Sequence, residues 1–184
     1  AVIMMGILKD GVTTWTPSYI SETFNLGSVL SILTTTLLPV INLTGVYAAS
    51  FLNSKVFKDE LLTAASLFVV TVVALLLLIL LGDLNVIFSA MMLAVTTSAM
   101  LGINTMIIGV LPLYFARANK VSTITGILNA TAYIGCAVST YGIGALSEYA
   151  GWGITIGAWC AICIVGALTC VFARKFWNVY KRKL

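Results

Sequence analysis

Residues 61–82 read Leu61-Leu62-Thr63-Ala64-Ala65-Ser66-Leu67-Phe68-Val69-Val70-Thr71-Val72-Val73-Ala74-Leu75-Leu76-Leu77-Leu78-Ile79-Leu80-Leu81-Gly82, with no charged side chain anywhere in the run. As a helix rising 1.5 Å per residue it is about 33 Å long, enough to cross a hydrocarbon core about 30 Å thick. Other long apolar stretches cover about residues 28–53, 85–115, 121–147 and 152–176, and a first segment covers about residues 1–20. Barrel strands would be shorter and would alternate in polarity. The chain is 60% hydrophobic and 9% charged, with a mean hydropathy of +1.08. That balance excludes an ordinary soluble domain. It predicts an all-α membrane protein with six transmembrane helices, taken as one domain over residues 1–184.

The charges predict its orientation. Lys55 and Lys58 follow the second segment, Arg117 and Lys120 the fourth, and Arg174, Lys175, Lys181, Arg182 and Lys183 the sixth. Six crossings bring all three places to one side. The opposite loops hold Glu22, Asp83 and Glu148 and no Lys or Arg. Basic loops stay on the cytoplasmic side, so both termini are expected to be cytoplasmic, in a multi-pass protein of the cell (inner) membrane. The tail Arg174-Lys175-Phe176-Trp177-Asn178-Val179-Tyr180-Lys181 mixes cations with aromatics as an interfacial anchor does, and membrane lipid is its expected partner. The net charge of +4 then calls for no nucleic-acid partner.

The first segment breaks the apolar pattern. Ala1–Leu8 is followed by Lys9-Asp10-Gly11-Val12-Thr13-Thr14-Trp15-Thr16-Pro17-Ser18-Tyr19-Ile20. It is not expected to be a signal peptide, since its charges and proline fall where such a peptide would be most apolar. A helix entering at residue 1 places Lys9 about 12 Å deep. A charge at the centre of a membrane helix costs about 2.5–3.5 kcal/mol on insertion scales, and such residues face a water-filled path or a partner. Lys9 and Asp10 are adjacent, so on a regular helix they point about 100° apart and are not expected to meet squarely. Gly11 and Pro17 are candidate loosening points of this helix, and Pro39 and Pro112 of the second and fourth.

Hydroxyl and amide side chains concentrate in some segments. The second holds Ser31, Thr34, Thr35, Thr36, Asn42 and Thr44; the fourth Thr96, Thr97, Ser98, Asn104 and Thr105; the fifth Thr123, Thr125, Asn129, Thr131, Ser139 and Thr140. The third ends in the wholly apolar Val72–Leu81, and the sixth has only Thr155 and Thr169. Segments three and six are therefore expected to face lipid, and one, two, four and five to face inward. That order repeats after three helices, as in the 3+3 inverted repeats of secondary transporters. Lys9, Thr13 and Thr16 share a helix face, as do Ser31, Thr35 and Asn42, and Thr125, Asn129, Tyr133 and Thr140. Two readings stand for these faces: the wall of a wet cavity, or polar glue between helices.

Other signals carry little. Cys136, Cys160, Cys163 and Cys170 all lie in apolar segments, and the Cys160–Cys163 spacing reads as small packing residues. The chain has no histidine, the commonest metal ligand and acid–base group; with no nucleophile motif and no paired intramembrane carboxylates, neither an enzyme, a metal site nor a cofactor is expected. Gly153 and Gly157 form a GxxxG spacing, read as close packing within the bundle.

With these features in place, the chain resembles the C-terminal six-helix half of a major facilitator superfamily transporter. Leu8–Ile20 is similar to the seventh helix of the organophosphate:phosphate antiporters, such as the glycerol-3-phosphate and hexose-phosphate transporters, in its basic residue, its glycine, its Trp15-Thr16-Pro17 block and its tyrosine. Lys55-Val56-Phe57 resembles the loop between helices eight and nine, and Gly126, Tyr133, Gly135, Gly144 and Gly151-Trp152 resemble helix eleven and its exit. The resemblance implies an alternating-access antiporter in which Lys9 contacts a substrate phosphate. Asp10, Thr13, Thr35, Asn42, Asn104, Asn129 and Tyr133 would line the path. Three departures stand out: Lys9 lacks the bidentate fork of arginine, Asp10 puts an acid beside the phosphate, and Ser54 replaces the acid before Lys55. A proton- or cation-coupled carrier of another small polar solute, and a non-transporting membrane scaffold, are the alternatives. A complete facilitator has about twelve helices in two halves with the site between them. The expected partner is therefore an N-terminal six-helix half or a second copy, and the unpaired half is not expected to transport.

Overall fold

The computed structural model describes residues 1–27 and 38–181. Thr35, with Ser31, Thr34 and Thr36, lies outside the described residues, as do Arg182 and Lys183. Among the described residues the fold is all helical. The helices are α1 (Val2–Phe24), α2 (Leu38–Phe51), α3 (Glu60–Leu81), α4 (Val86–Asn104) and α5 (Val121–Lys181). A π-helical turn, Leu52–Phe57, extends α2. A second, Thr105–Val110, followed by a 3-10 segment, Leu111–Ala118, extends α4.

Six crossings were expected. By length and apolar composition, three stretches among the described residues qualify to cross a membrane: Glu60–Leu84, Val86–Ala118 and Val121–Lys181. The helix α1 is too polar to join them, and α2 is described only from Leu38. The expected fifth and sixth segments are the two arms of α5, 121–150 and 152–181. They meet at Gly151, where φ is 79° and ψ 169°. That backbone conformation is open to glycine and strained for other residues, and each arm is about 45 Å long at helical rise.

Contacts between helices fix their directions. The first arm of α5 runs parallel to α1, since Ile3 lies at Gly135, Gly11 at Ser139 and Trp15 at Gly144. The second arm runs antiparallel to α3, since Phe68 lies at Gly166 and Asp59 at Arg174. The tight turn Gly82–Leu84 makes α3 and α4 antiparallel. Asn42 meets Thr97 and Ala49 lies at Gly102, so α2 is parallel to α4. The Tyr19 hydroxyl lies beside Gly82, which puts the end of α1 at the start of α4. Successive segments therefore alternate in direction.

Two ends result. One carries Tyr19, Glu22, the Gly82–Leu84 turn and Gly151-Trp152. There Trp152 Nε1 donates to Glu22 Oε2 at 2.8 Å, and the Tyr19 and Trp152 rings meet edge to face at 5.4 Å. The other end gathers Lys58, Arg117 and Lys181 with Asp59 and Glu60. The three basic places of the sequence do converge.

Between the ends the core is apolar and tightly packed: Met5, Leu8, Val12, Ile20, Phe68, Leu75, Leu78, Leu93, Met100, Ile103, Met106 and Trp159 are fully buried. Where lipid replaces water, helix association rests on van der Waals contact and small residues rather than on apolar burial. Gly45 shows this, since a Cβ there would lie 2.5 Å from the Ser98 carbonyl carbon. The opposite holds for the GxxxG pair. A Cβ at Gly153 or Gly157 would meet nothing within 4 Å, so among the described residues this spacing packs against nothing.

The expected apolar outer rows on α3 and the second arm are present, led by Leu80 and Phe176, 74% and 73% exposed. Along α2, Val40, Leu43, Tyr47 and Phe51 form an exposed apolar stripe. Only its Asn42–Gly45–Ala49 side is packed.

Candidate functional site

Lys9 and Asp10 lie within α1 on the open side of its seam with the first arm of α5. Their side chains are 31% and 33% exposed, and Lys9 Nζ lies 3.6 Å from Asp10 Oδ1. They come within ion-pair range without meeting squarely. The long, flexible lysine stem sweeps across the roughly 100° between adjacent positions without any distortion of the helix. The separation exceeds a hydrogen bond, so Lys9 keeps its donors for another acceptor. Thr13 is exposed and its hydroxyl donates to the Lys9 carbonyl at 2.7 Å. Cys136 of the first arm faces the pair.

Cys136 shares a face with Asn129, Tyr133 and Thr140, at i, i+4, i+7 and i+11. Asn129 and Thr140 are exposed, and Tyr133 is 67% exposed. The other side of the arm, Ala132, Gly135, Ser139 and Ile143, is buried and faces α1. The structure thus brings Lys9, Asp10, Thr13, Asn129 and Tyr133 to one open surface.

The remaining candidates are elsewhere. Asn42 is in the α2–α4 seam, where its Oδ1 accepts from Thr97 Oγ1 at 2.7 Å. With Thr44 and Ser98, 3.2 Å apart, it is interhelical glue, the plainer of the two readings. Asn104 is partly buried at the end of α4, directly before the π-helical turn. α1 is continuous through Gly11 and Pro17. Gly11 is a contact position against the Ser139 side chain rather than a loosened one. Pro39 stands in the first turn of α2 as described from Leu38, next to residues outside the described range. Pro112 marks an irregularity, at the start of the 3-10 segment that follows the second π-turn.

A second polar cluster, at the basic end, has no counterpart in the sequence expectations. Lys58 adopts a left-handed conformation (φ 51°) that closes the first π-turn and sets Asp59 as the N-cap of α3. Asp59 Oδ1 accepts from the Leu62 N–H at 2.9 Å. Its Oδ2 accepts from Arg174 Nε at 2.8 Å and Asn178 Nδ2 at 3.3 Å. Glu60 accepts from Lys181 Nζ at 3.1 and 3.2 Å, from Trp177 Nε1 at 3.4 Å, and from the Tyr114 hydroxyl.

Both carboxylates are nearly buried, with side chains 8% and 4% exposed, while Arg174 and Lys181 sit at the rim, 40% and 29% exposed. Burial opposes the charge of Asp59, but its bonds from Arg174, the Leu62 N–H and Asn178 prevail and hold the carboxyl below its ordinary range. One signal was available in sequence: an acid pair opening an apolar run is what a capped helix N-terminus prefers. Its acceptors are filled from within, so this cluster is a clasp joining α3, the 3-10 segment and the end of α5. The Lys9–Asp10 pair is the more open of the two.

No protein family, curated protein or solved structure matches the chain.

Proposed function

We infer that this chain is one six-helix half of an alternating-access secondary transporter, a bundle of two three-helix repeats of opposite topology, and that it carries a small anionic or phosphorylated solute. One observation carries the reading: a lysine within a helix of an apolar bundle, on an open face, held only at 3.6 Å from its acid neighbour. The alternating helix directions and the basic end support it. So does the resemblance of Leu8–Ile20 to the seventh helix of organophosphate:phosphate antiporters.

In this reading the Lys9 ammonium attracts the anion as a point charge, and Thr13, Asn129 and Tyr133 supply hydrogen bonds along the same wall. Asp10 favours a second reading, a proton- or cation-coupled carrier in which the carboxylate takes the coupling ion.

Access tests both. Cysteines placed at Thr13 and Asn129 are expected to react with a membrane-impermeant thiol reagent, and one at Asn42 to react far more slowly. Inert cysteines at all three positions would mean a dry surface and would leave the scaffold alternative.

A further inference from the structure

We propose that the open face of α1 and the first arm of α5 docks a second copy of this chain about a two-fold axis along the membrane normal, with Lys9 of each copy pairing with Asp10 of the other. The inference rests on the reading of this face as the wall of a solute path, and completes that path. Three observations carry it.

The first is charge. Each copy presents one cation and one anion side by side, each about a third exposed. Facing lipid, each would cost about 2.5–3.5 kcal/mol on insertion scales, so protein or water must cover them. A two-fold contact sets each residue against its counterpart's neighbour, and a patch with one charge of each sign is then its own complement. The second is orientation. The three basic places share one end of the molecule, so every copy inserts the same way round, and two copies side by side are related by an axis along the membrane normal. The third is relief. Along the first arm, Gly126, Ala130 and Ala137 are exposed, and a Cβ at Gly126 would meet nothing within 4 Å. Small residues let helices approach closely, and Tyr133 stands proud between them, 67% exposed.

Charge exchange between copies is the test. Lys9→Asp gives a copy with two acids at the face, and Asp10→Lys a copy with two bases. Either alone sets like charges together; mixed, they are complementary again. Förster transfer between fluorophore-labelled copies, diluted in lipid vesicles, measures the association. Wild type is expected to dimerise, each variant alone to associate at least about tenfold more weakly, a loss of about 1.4 kcal/mol, and the mixture to regain most of that.

A second measurement does not depend on any charge variant folding. Cys160, Cys163 and Cys170 are buried, so a short bis-maleimide is expected to cross-link wild-type copies through Cys136, and not the Cys136→Ser variant. Monomeric wild type at every dilution, no cross-link through Cys136, or variants that associate as well alone as mixed would each overturn the proposal. A dimer that exchanges no solute upholds it while removing the transport reading; solute exchange by a monomer does the reverse.

Discussion

Replacing Asp59 with alanine removes two different interactions at once, and the structure allows them to be separated. The first is the N-cap bond to the Leu62 N–H, worth about 1 kcal/mol when a good cap is lost. The second is the pair with Arg174 at 2.8 Å. Because that guanidinium is 40% exposed, the pair is treated as a partly screened one, worth up to about 1 kcal/mol. Asp59→Ala is therefore expected to destabilise by about 2 kcal/mol and Asp59→Asn, which keeps a cap acceptor, by about 1 kcal/mol. Arg174→Ala leaves a nearly buried carboxylate with fewer donors, and is expected to cost about 1–3 kcal/mol. In the Asp59→Ala background the same arginine change should cost almost nothing, since its partner is gone. Equilibrium unfolding in mixed detergent–SDS micelles, followed by helix dichroism, measures all four corners of the cycle. A loss from Arg174→Ala that is the same in both backgrounds would refute the clasp.

Three further outcomes follow from the same contacts. Gly45→Val, forced against the Ser98 backbone, is expected to cost about 1–3 kcal/mol as overpacking; Gly157→Ala, with nothing within 4 Å, should stay within about 0.5 kcal/mol of wild type, and micelle unfolding reads both. Asn42→Ala is expected to cost about 0.6–1.7 kcal/mol, the range of interhelical hydrogen bonds in membranes, a small loss because Thr97 keeps the Leu93 carbonyl as acceptor. The Asp59 contribution has a definite pH sign. Its carboxyl is held below its ordinary value when folded, so its stabilisation is complete above about pH 3.9 and is lost as the pH falls through the lowered folded value; a titrated unfolding series of wild type against Asp59→Asn should converge only at the acid end.

The apolar runs announced the helices because length and composition alone decide whether a segment can cross a bilayer. The convergence of Lys58, Arg117 and Lys181 on one end followed from counting segments. Polar residues gave less. Asn42 and Asn129 look alike in sequence, yet one is a buried tie to Thr97 and the other lies on an open face; only the packing of α2 on α4 tells them apart. The Lys9–Asp10 contact escaped a reading based on Cα directions, because lysine's reach is set by its side chain. Asp59 and Glu60 escaped because their partners on α5, Arg174, Trp177, Asn178 and Lys181, lie more than a hundred positions away in sequence, and no local pattern records contacts that only the reversal at Gly151 creates. The GxxxG at Gly153 misled for the converse reason: spacing shows that close approach is possible, not that a helix is there.

The central claim is that Lys9 is the anion-binding charge of a transport path, and solute exchange addresses it most directly. The protein would be reconstituted into liposomes loaded with inorganic phosphate, and uptake of labelled glycerol and sugar phosphates followed for wild type and Lys9→Gln, with helix content checked for both. Uptake is expected to require internal phosphate and to disappear in Lys9→Gln without loss of fold. Equal uptake by the two proteins, or none by folded wild type already paired as a dimer or with an N-terminal six-helix half, would contradict the claim.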